Sequence, residues 1–209
     1  MKQIFFILIL LVVGLFIGIF FSYGVYYGIH KTSSENFCVL CHEMDPMVIA
    51  YKNDPHGGKS KIGASARCVD CHLPHDSLVN YIYTKATTGV KELGIHFFGN
   101  VDEIDWQKMR EDRESFVYDE GCLNCHGNIF DKKLATLSTK AQKMHNHYNK
   151  LKGTKQEVKC AFCHFEVGHT GLRNYLNYYN PEHSIYKEKM ENKKEELLNE
   201  YKEYGIKTK

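Results

Sequence analysis

Eight cysteines fall in four Cys-x-x-Cys pairs, and a histidine follows each pair at once. The four sites are Cys38/Cys41/His42, Cys68/Cys71/His72, Cys122/Cys125/His126 and Cys160/Cys163/His164. Cys-x-x-Cys-His is the attachment site of a c-type haem: the thiols become thioethers to the vinyl groups, and the histidine is offered to the iron. A zinc site has no use for a histidine after every pair, and a disulfide framework would not repeat the tripeptide. No cysteine is left over, so the chain is read as carrying four covalently bound haem c groups. The first motif, NFCVLCHEMDP, holds a second good iron ligand, because Met44 lies two residues past His42. A low-spin electron-transfer haem takes two axial ligands, so four irons need up to eight. Beyond the motifs the candidates are His56, His75, His96, His145, His147, His169, His183, Lys85 and several methionines. That surplus leaves the pairing open.

Such sites need elements to hold them. Residues 4–29 form a run of 26 positions without a charge. A membrane-spanning helix needs about 20 apolar residues, so this run can cross with some tilt. It is too long for the apolar core of a cleaved leader, and no small-x-small cleavage site follows it. The expectation is an N-terminal transmembrane anchor over residues 1–31. Gly14/Gly18 and Gly24/Gly28 are spaced to let a partner helix approach, but glycine is common in membrane helices and the spacing does not decide. Haem c is attached on the outer side of the bacterial inner membrane. The N-terminus is therefore expected in the cytoplasm and the haem domain in the periplasm.

The residues after the span must enclose four porphyrins, which leaves little room for a conventional core. No stretch shows sustained period-two alternation. The expected fold is mainly α with long loops and almost no sheet. Residues 32–184 form a compact domain whose core is the haems, and residues 185–209 a charged amphipathic helix. The clearest soluble helix is SLVNYIYTKATTGVKELGIHFFG, with Asp76 or Ser77 to cap it and Gly99 to end it. Lys85, Gly89, Glu92 and His96 share one of its faces. Lysine and glutamate usually make a solvated stripe. A glycine in mid-helix, however, costs about 1 kcal/mol against alanine and often marks the close approach of something bulky. A haem edge would fit. With 27 basic and 25 acidic residues, net +2, there is no nucleic-acid footprint.

The segments CVLCHEM, DPHG, CVDCHLPHD, TKATTGVKE, CLNCH and CAFCHFEVGH, after one amino-terminal membrane helix, carry a further signal. Together they resemble the NapC/NirT family of quinol-oxidising tetrahaem cytochromes. Within it they are most like the NrfH branch, the small subunits of cytochrome c nitrite reductase. The likeness covers about residues 5 to 175. It implies that Met44, not His42, binds the first iron and that the opposite face stays open to a quinol. It also implies Lys85 on the second iron opposite His72, His126 with His169 on the third, and His164 with His56 on the fourth. His145 and His147 remain competitors for the last two irons. Where the branch has an aspartate near the open face, this chain has Glu92, which keeps a carboxylate to accept quinol protons.

The activity so implied is that of a membrane-anchored menaquinol dehydrogenase, with Glu92, Lys85 and Met44 as its working set. Electrons would pass through four haems to the pentahaem catalytic subunit of periplasmic nitrite reductase, which makes ammonia in anaerobic respiration. A NapC-type dehydrogenase feeding periplasmic nitrate reductase or another terminal reductase is the runner-up. Two other classes compete: a passive multihaem conduit without a quinol site, and a terminal reductase with an open haem. The last needs a distal pocket of donors, and the sequence offers no clear set.

Overall fold

The computed structural model describes residues 2–61, 63–131 and 138–179, with positions 199, 202 and 203 beyond them. Apart from those three positions, the helix expected over 185–209 lies outside the described residues, as does His183. Among the described residues the regular structure is helical, without strands. In chain order the helices are α1 (Lys2–Lys31), α2 (Glu35–Cys38), α3 (Asp45–Lys52), α4 (Cys68–His72) and α5 (Leu78–Phe98). They continue as α6 (Trp106–Met109), α7 (Asp119–His126), α8 (Thr139–Leu151), α9 (Cys160–Cys163) and α10 (Leu172–Tyr179).

α1 is long and apolar enough to cross a membrane, and none of its residues is buried in the rest of the chain. A side chain added at Gly14, Gly18, Gly24 or Gly28 would meet no protein atom within 4 Å. Tyr23, Tyr26 and Tyr27 cluster toward its C-terminal end, where the Lys31 ammonium lies 5.5 Å from the centre of the Tyr27 ring. Aromatic and basic residues gather in this way at membrane–water interfaces.

The protein's own core is small. Ile49 and Ala50 of α3 pack against Tyr175 of α10, with Leu172 and Tyr178 at the edge. Asn53 donates to the Tyr175 hydroxyl at 2.8 Å. Gly121 is required where α7 meets α4, because a Cβ there would stand 1.8 Å from the Asp70 carbonyl oxygen. The Tyr118 amide donates to the Cys71 carbonyl at the same junction. Its neighbour α9 is tied in by Arg113, which donates to the carbonyls of Ala161 and Phe162.

Among the described residues, the longest helix after α1 runs from cap to cap as its sequence directs. Ser77 is the N-cap and its hydroxyl accepts from the Asn80 amide, leaving Asp76 to accept from the Asn80 side chain. Gly99 ends α5, where a Cβ would meet the Ile95 carbonyl oxygen at 2.6 Å. The hydroxyl and the glycine satisfy or spare backbone groups that a helix end leaves unpaired.

Candidate haem and quinol site

The four attachment motifs meet in chain order. The thiols of Cys38 and Cys68 lie close together, joining the first site to the second. Cys71 lies near Cys122 and Cys125, joining the second to the third. Cys122 and Cys160 again lie close together, joining the third to the fourth. All eight cysteines are free thiols, so no disulfide competes for them.

Three motif histidines each face a histidine from elsewhere in the chain. His72 faces His169, His126 faces His56, and His164 faces His145, each pair with ring centres 6.1 Å apart. Two imidazoles bound to one iron from opposite sides, each at about 2 Å, have ring centres about 6 Å apart. The pairs therefore fit three haem irons. Three of these six histidines have one ring nitrogen held as a ligand requires, because a hydrogen bond to one ring nitrogen fixes the tautomer that offers the other. His72 Nδ1 lies 3.1 Å from the Phe116 carbonyl, and His169 Nδ1 lies 3.0 Å from the Met47 carbonyl. His56 Nδ1 lies 2.9 Å from the Asp54 carboxylate. His145 has a buried Nδ1 without a hydrogen-bond partner, an orphan that a metal would satisfy.

Burial, reinforced by the neighbouring His72, pushes His169 down to about 4. Burial also lowers His72. Both are held as neutral imidazoles, the form that binds a metal.

Asp54 organises the DPHG segment. It is buried, and its carboxylate accepts from the His56 amide at 2.8 Å and from the Thr170 hydroxyl at 2.7 Å. Burial works against its charge, but these bonds and the His56 ring hold its pKa below the ordinary value. Gly57 completes the turn, since a Cβ would fall 1.8 Å from the Tyr51 carbonyl oxygen. Asp119 plays the corresponding part for the fourth site. It accepts from the Cys160 amide at 2.8 Å and from the Tyr148 hydroxyl at 2.6 Å. Tyr148 lies three residues past His145 on α8, and Phe130 stacks on it. Of the two competing histidines, His145 is half-buried against His164 and His147 is exposed.

These pairs differ from the expected ones. The resemblance implied Lys85 opposite His72, His169 opposite His126, and His56 opposite His164. The fold instead turns His169 to His72, His56 to His126 and His145 to His164. The Lys85 amine is engaged elsewhere, donating to the Thr32 carbonyl at 3.0 Å and the Ser33 hydroxyl at 3.2 Å. Of the remaining candidates, His75 is bonded to the Val69 carbonyl and packs on Tyr81, a structural role.

The first site is built otherwise. His42 and His96 have ring centres 6.4 Å apart, but the Glu43 carboxylate joins them. One oxygen lies 2.7 Å from His96 Nδ1 and the other 3.1 Å from His42 Nδ1. Burial opposes the charge on Glu43, while its own backbone amide, His96 and His42 hold the pKa below the usual value. Glu43 and His96 are the residues that sequence reasoning missed as a pair. The His96 stripe on α5 was visible, but its partner lies in another segment.

The Lys85, Gly89, Glu92 and His96 face of α5 is turned to this site through the bonds of Lys85 and His96. Burial lowers the Lys85 pKa, with Glu92 pulling the other way. Glu92 keeps part of its surface open to solvent, but the surrounding protein raises its carboxyl pKa against the pull of Lys85 and Lys91. A Cβ at Gly89 would meet no protein atom within 4 Å, so a protein neighbour does not require the glycine, and a porphyrin edge fits that face.

Four covalent haem sites in contact order, behind one long apolar helix, define a membrane-anchored tetrahaem c-type cytochrome. The chain belongs to the NapC/NirT cytochrome c family, whose N-terminal-region model matches residues 1–174. It is 30% identical to the tetraheme c-type cytochrome CymA of Shewanella oneidensis, over 78% of this chain and 90% of that protein. It is 29% identical to the cytochrome c-type protein NapC of Escherichia coli K12, over 77% and 80% respectively. For the cytochrome c-type protein NrfH of Wolinella succinogenes the figures are 28%, 69% and 73%. The NrfH branch is thus one of several at similar distance, and the family is what the similarity defines. No solved structure matches the chain.

Proposed function

We propose that this protein is a quinol dehydrogenase that draws electrons from menaquinol at the outer surface of the bacterial inner membrane. α1 is its single-pass anchor, with the N-terminus in the cytoplasm and the haem domain in the periplasm. Residues 1–31 are the anchor and residues 32–184 the haem domain. Met44 is the protein ligand of the first iron. His72 with His169, His126 with His56, and His164 with His145 hold the other three.

The observation that carries this reading is the asymmetry of the four sites. Three have paired imidazoles, while the first has its histidines joined through a carboxylate and a lysine–glutamate face beside it. Haem c, when bound, supplies a one-electron carrier at each site. Lys85 and Glu92 flank the quinol head, and Glu92 takes its hydroxyl proton. A carboxylate does this best when its pKa lies near working pH, and the upward shift of Glu92 is in that direction.

The soluble acceptor proposed is the pentahaem catalytic subunit of cytochrome c nitrite reductase, on the resemblance of the TKATTGVKE segment, with Lys85, to the NrfH branch. The histidine pairing at His72 and the similarity to NapC favour a second reading, a periplasmic nitrate reductase or another terminal reductase. Purified full-length protein in detergent tests the class. Menaquinol should reduce its haems rapidly, which a passive conduit does not allow. Nitrite should leave the reduced haems unoxidised without a partner, whereas a terminal reductase would be oxidised. Co-purification of the intact membrane complex, with the partner identified by mass, tests the acceptor.

A further inference from the structure

α8 closes the fourth attachment site, and its two sides differ. At 3.6 residues per turn, Ala141, His145 and Tyr148 fall within about 60° of one another. This side is turned inward: His145 faces His164, and the Tyr148 hydroxyl donates to Asp119. Lys140, Lys143, His147 and Lys150 fall on the other side, each about 140° to 160° around the helix from His145. All four are exposed. With His145 turned to His164, the helix itself stands between these residues and the fourth haem position.

The charge on the outer side has one sign. Residues 139–156 hold five lysines and no aspartate or glutamate, in a chain whose basic and acidic residues otherwise nearly balance. Lys152 and Lys155, both exposed, extend the patch past the end of α8. The next acid, Glu157, is turned back to the Gly153 amide, which donates to it at 2.8 Å. None of the five lysines is paired with the carboxylate of a described residue. Lys140 and Lys143 lie three apart, and like charges that are neighbours on a helix weaken it. A stripe left unpaired in this way suits a partner that brings the opposite charge.

The position of the patch gives it a use. The four sites follow one another in chain order. The first is beside α5, which Lys85 ties to the residues after α1, and the fourth lies under α8. An electron that enters at the first site leaves for a soluble acceptor from the other end. A surface of one sign speeds association with an oppositely charged protein by about 10- to 1,000-fold, and added salt removes the effect.

We propose that the outer side of α8, with Lys152 and Lys155, docks a soluble electron-accepting protein through a carboxylate-rich surface on that protein. One electron passes at each encounter from the reduced fourth site to the oxidised centre of the acceptor, with no bond made or broken. α8 thus has two tasks: its inner side supplies His145, and its outer side selects an acidic acceptor over a basic one. The inference rests on the quinol dehydrogenase reading for the direction of electron flow.

Stopped-flow oxidation of the dithionite-reduced, full-length tetrahaem protein in detergent tests it, with one acceptor in two forms. Cytochrome c with succinylated lysines is acidic, and unmodified cytochrome c is basic. At low ionic strength the native protein should reduce the succinylated form at least about tenfold faster than Lys143→Glu/Lys150→Glu does. That advantage should vanish at about 1 M salt, where the Debye length is about 3 Å. The unmodified form should show no such loss. Lys61→Glu/Lys108→Glu, the same charge change outside the patch, should leave the rate within about twofold of native. If Lys143→Glu/Lys150→Glu fails to assemble four haems by mass, Lys143→Gln/Lys150→Gln carries the test, with a smaller loss in the same direction. Native rates in the patch variant, or equal slowing by the two Glu variants, would overturn the proposal. So would protection of Lys143 and Lys150 from amine acetylation in phosphatidylglycerol vesicles but not in phosphatidylcholine ones, which would assign the patch to lipid. Dithionite replaces menaquinol here, so the two readings fail separately. A protein that shows this charge dependence but takes no electrons from menaquinol loses the dehydrogenase reading and keeps the docking surface.

Discussion

The first attachment site and the other three start from the same tripeptide and are finished in different ways. At His72, His126 and His164 a second imidazole stands at the spacing of an axial pair. At His42 a buried carboxylate joins the motif histidine to His96, and the same face of α5 carries Lys85 and Glu92. Two imidazoles saturate an iron and leave no room for substrate, so such a site can only pass electrons. With Met44 as its proposed ligand and titratable groups beside it, the first site can meet a molecule that gives up protons along with electrons. In the function proposed, that difference separates an entry site from a conducting chain.

The largest effect should come from removing what makes the entry site different. Met44→Ala should abolish menaquinol oxidation while mass spectrometry still finds four haems attached, because Met44 lies outside the thioether linkage. Native turnover in this variant would make the first site a fourth conductor.

Glu92→Gln should slow quinol oxidation by about 100-fold or more, within the usual range for losing a general base. The haem spectrum should stay intact, and Glu92→Asp should keep much of the rate. Because burial raises the Glu92 pKa, the carboxylate form is lost as pH falls through that raised value. Steady-state rates should therefore decline on the acid side at a pH above the ordinary glutamate value of about 4.3. A Glu92→Gln profile that matches the native one would move the proton acceptor elsewhere.

Among the conducting sites, His145→Ala should convert one haem from low-spin to high-spin in the electron paramagnetic resonance spectrum, whereas His147→Ala should not. The reverse result would exchange the two histidines and undo the pairing at His164. Lys85→Ala sharpens the contrast between the regions. It should slow quinol oxidation yet leave the low-spin signal of the His72 site unchanged. Loss of that signal would return Lys85 to the second iron.

The smallest effect should be that of Asp54→Asn, which loosens His56 without removing it. Second-shell changes of this kind cost about 10- to 100-fold in metal affinity or activity, and the lower end is expected beside a covalently held haem. Asp54 has a folded pKa below its ordinary value, so its stabilisation is present above the usual aspartate pKa of about 3.9. It is lost as pH falls through the lower, folded value. Acid titration followed by the haem spectrum should show the native His126 site surviving to lower pH than in Asp54→Asn. Coincident acid transitions would reduce Asp54 to a turn residue.

Much of this was legible in the residues. The four attachment motifs, the span and the caps of α5 depend on contiguous stretches, so spacing and residue type were enough to read them. The shared face of Lys85, Glu92 and His96 followed from helical periodicity. What that face touches did not, because Thr32, Ser33 and Glu43 come from a segment some fifty residues earlier.

The sequence by itself determined the number of haems, their covalent anchors, the apolar helix and the helical character of the chain. Each follows from local chemistry: a tripeptide that reacts with one porphyrin, a run with no charge, a hydroxyl beside a helix start. Only the tertiary structure decided which histidines face each other. His169 meets His72, and His56 meets His126, after long excursions of the chain. A surplus of histidines carries no record of such pairing, because the pairing is set by the path of the backbone between them. That path is fixed by contacts such as Gly121 against Asp70 and Asp54 against Thr170.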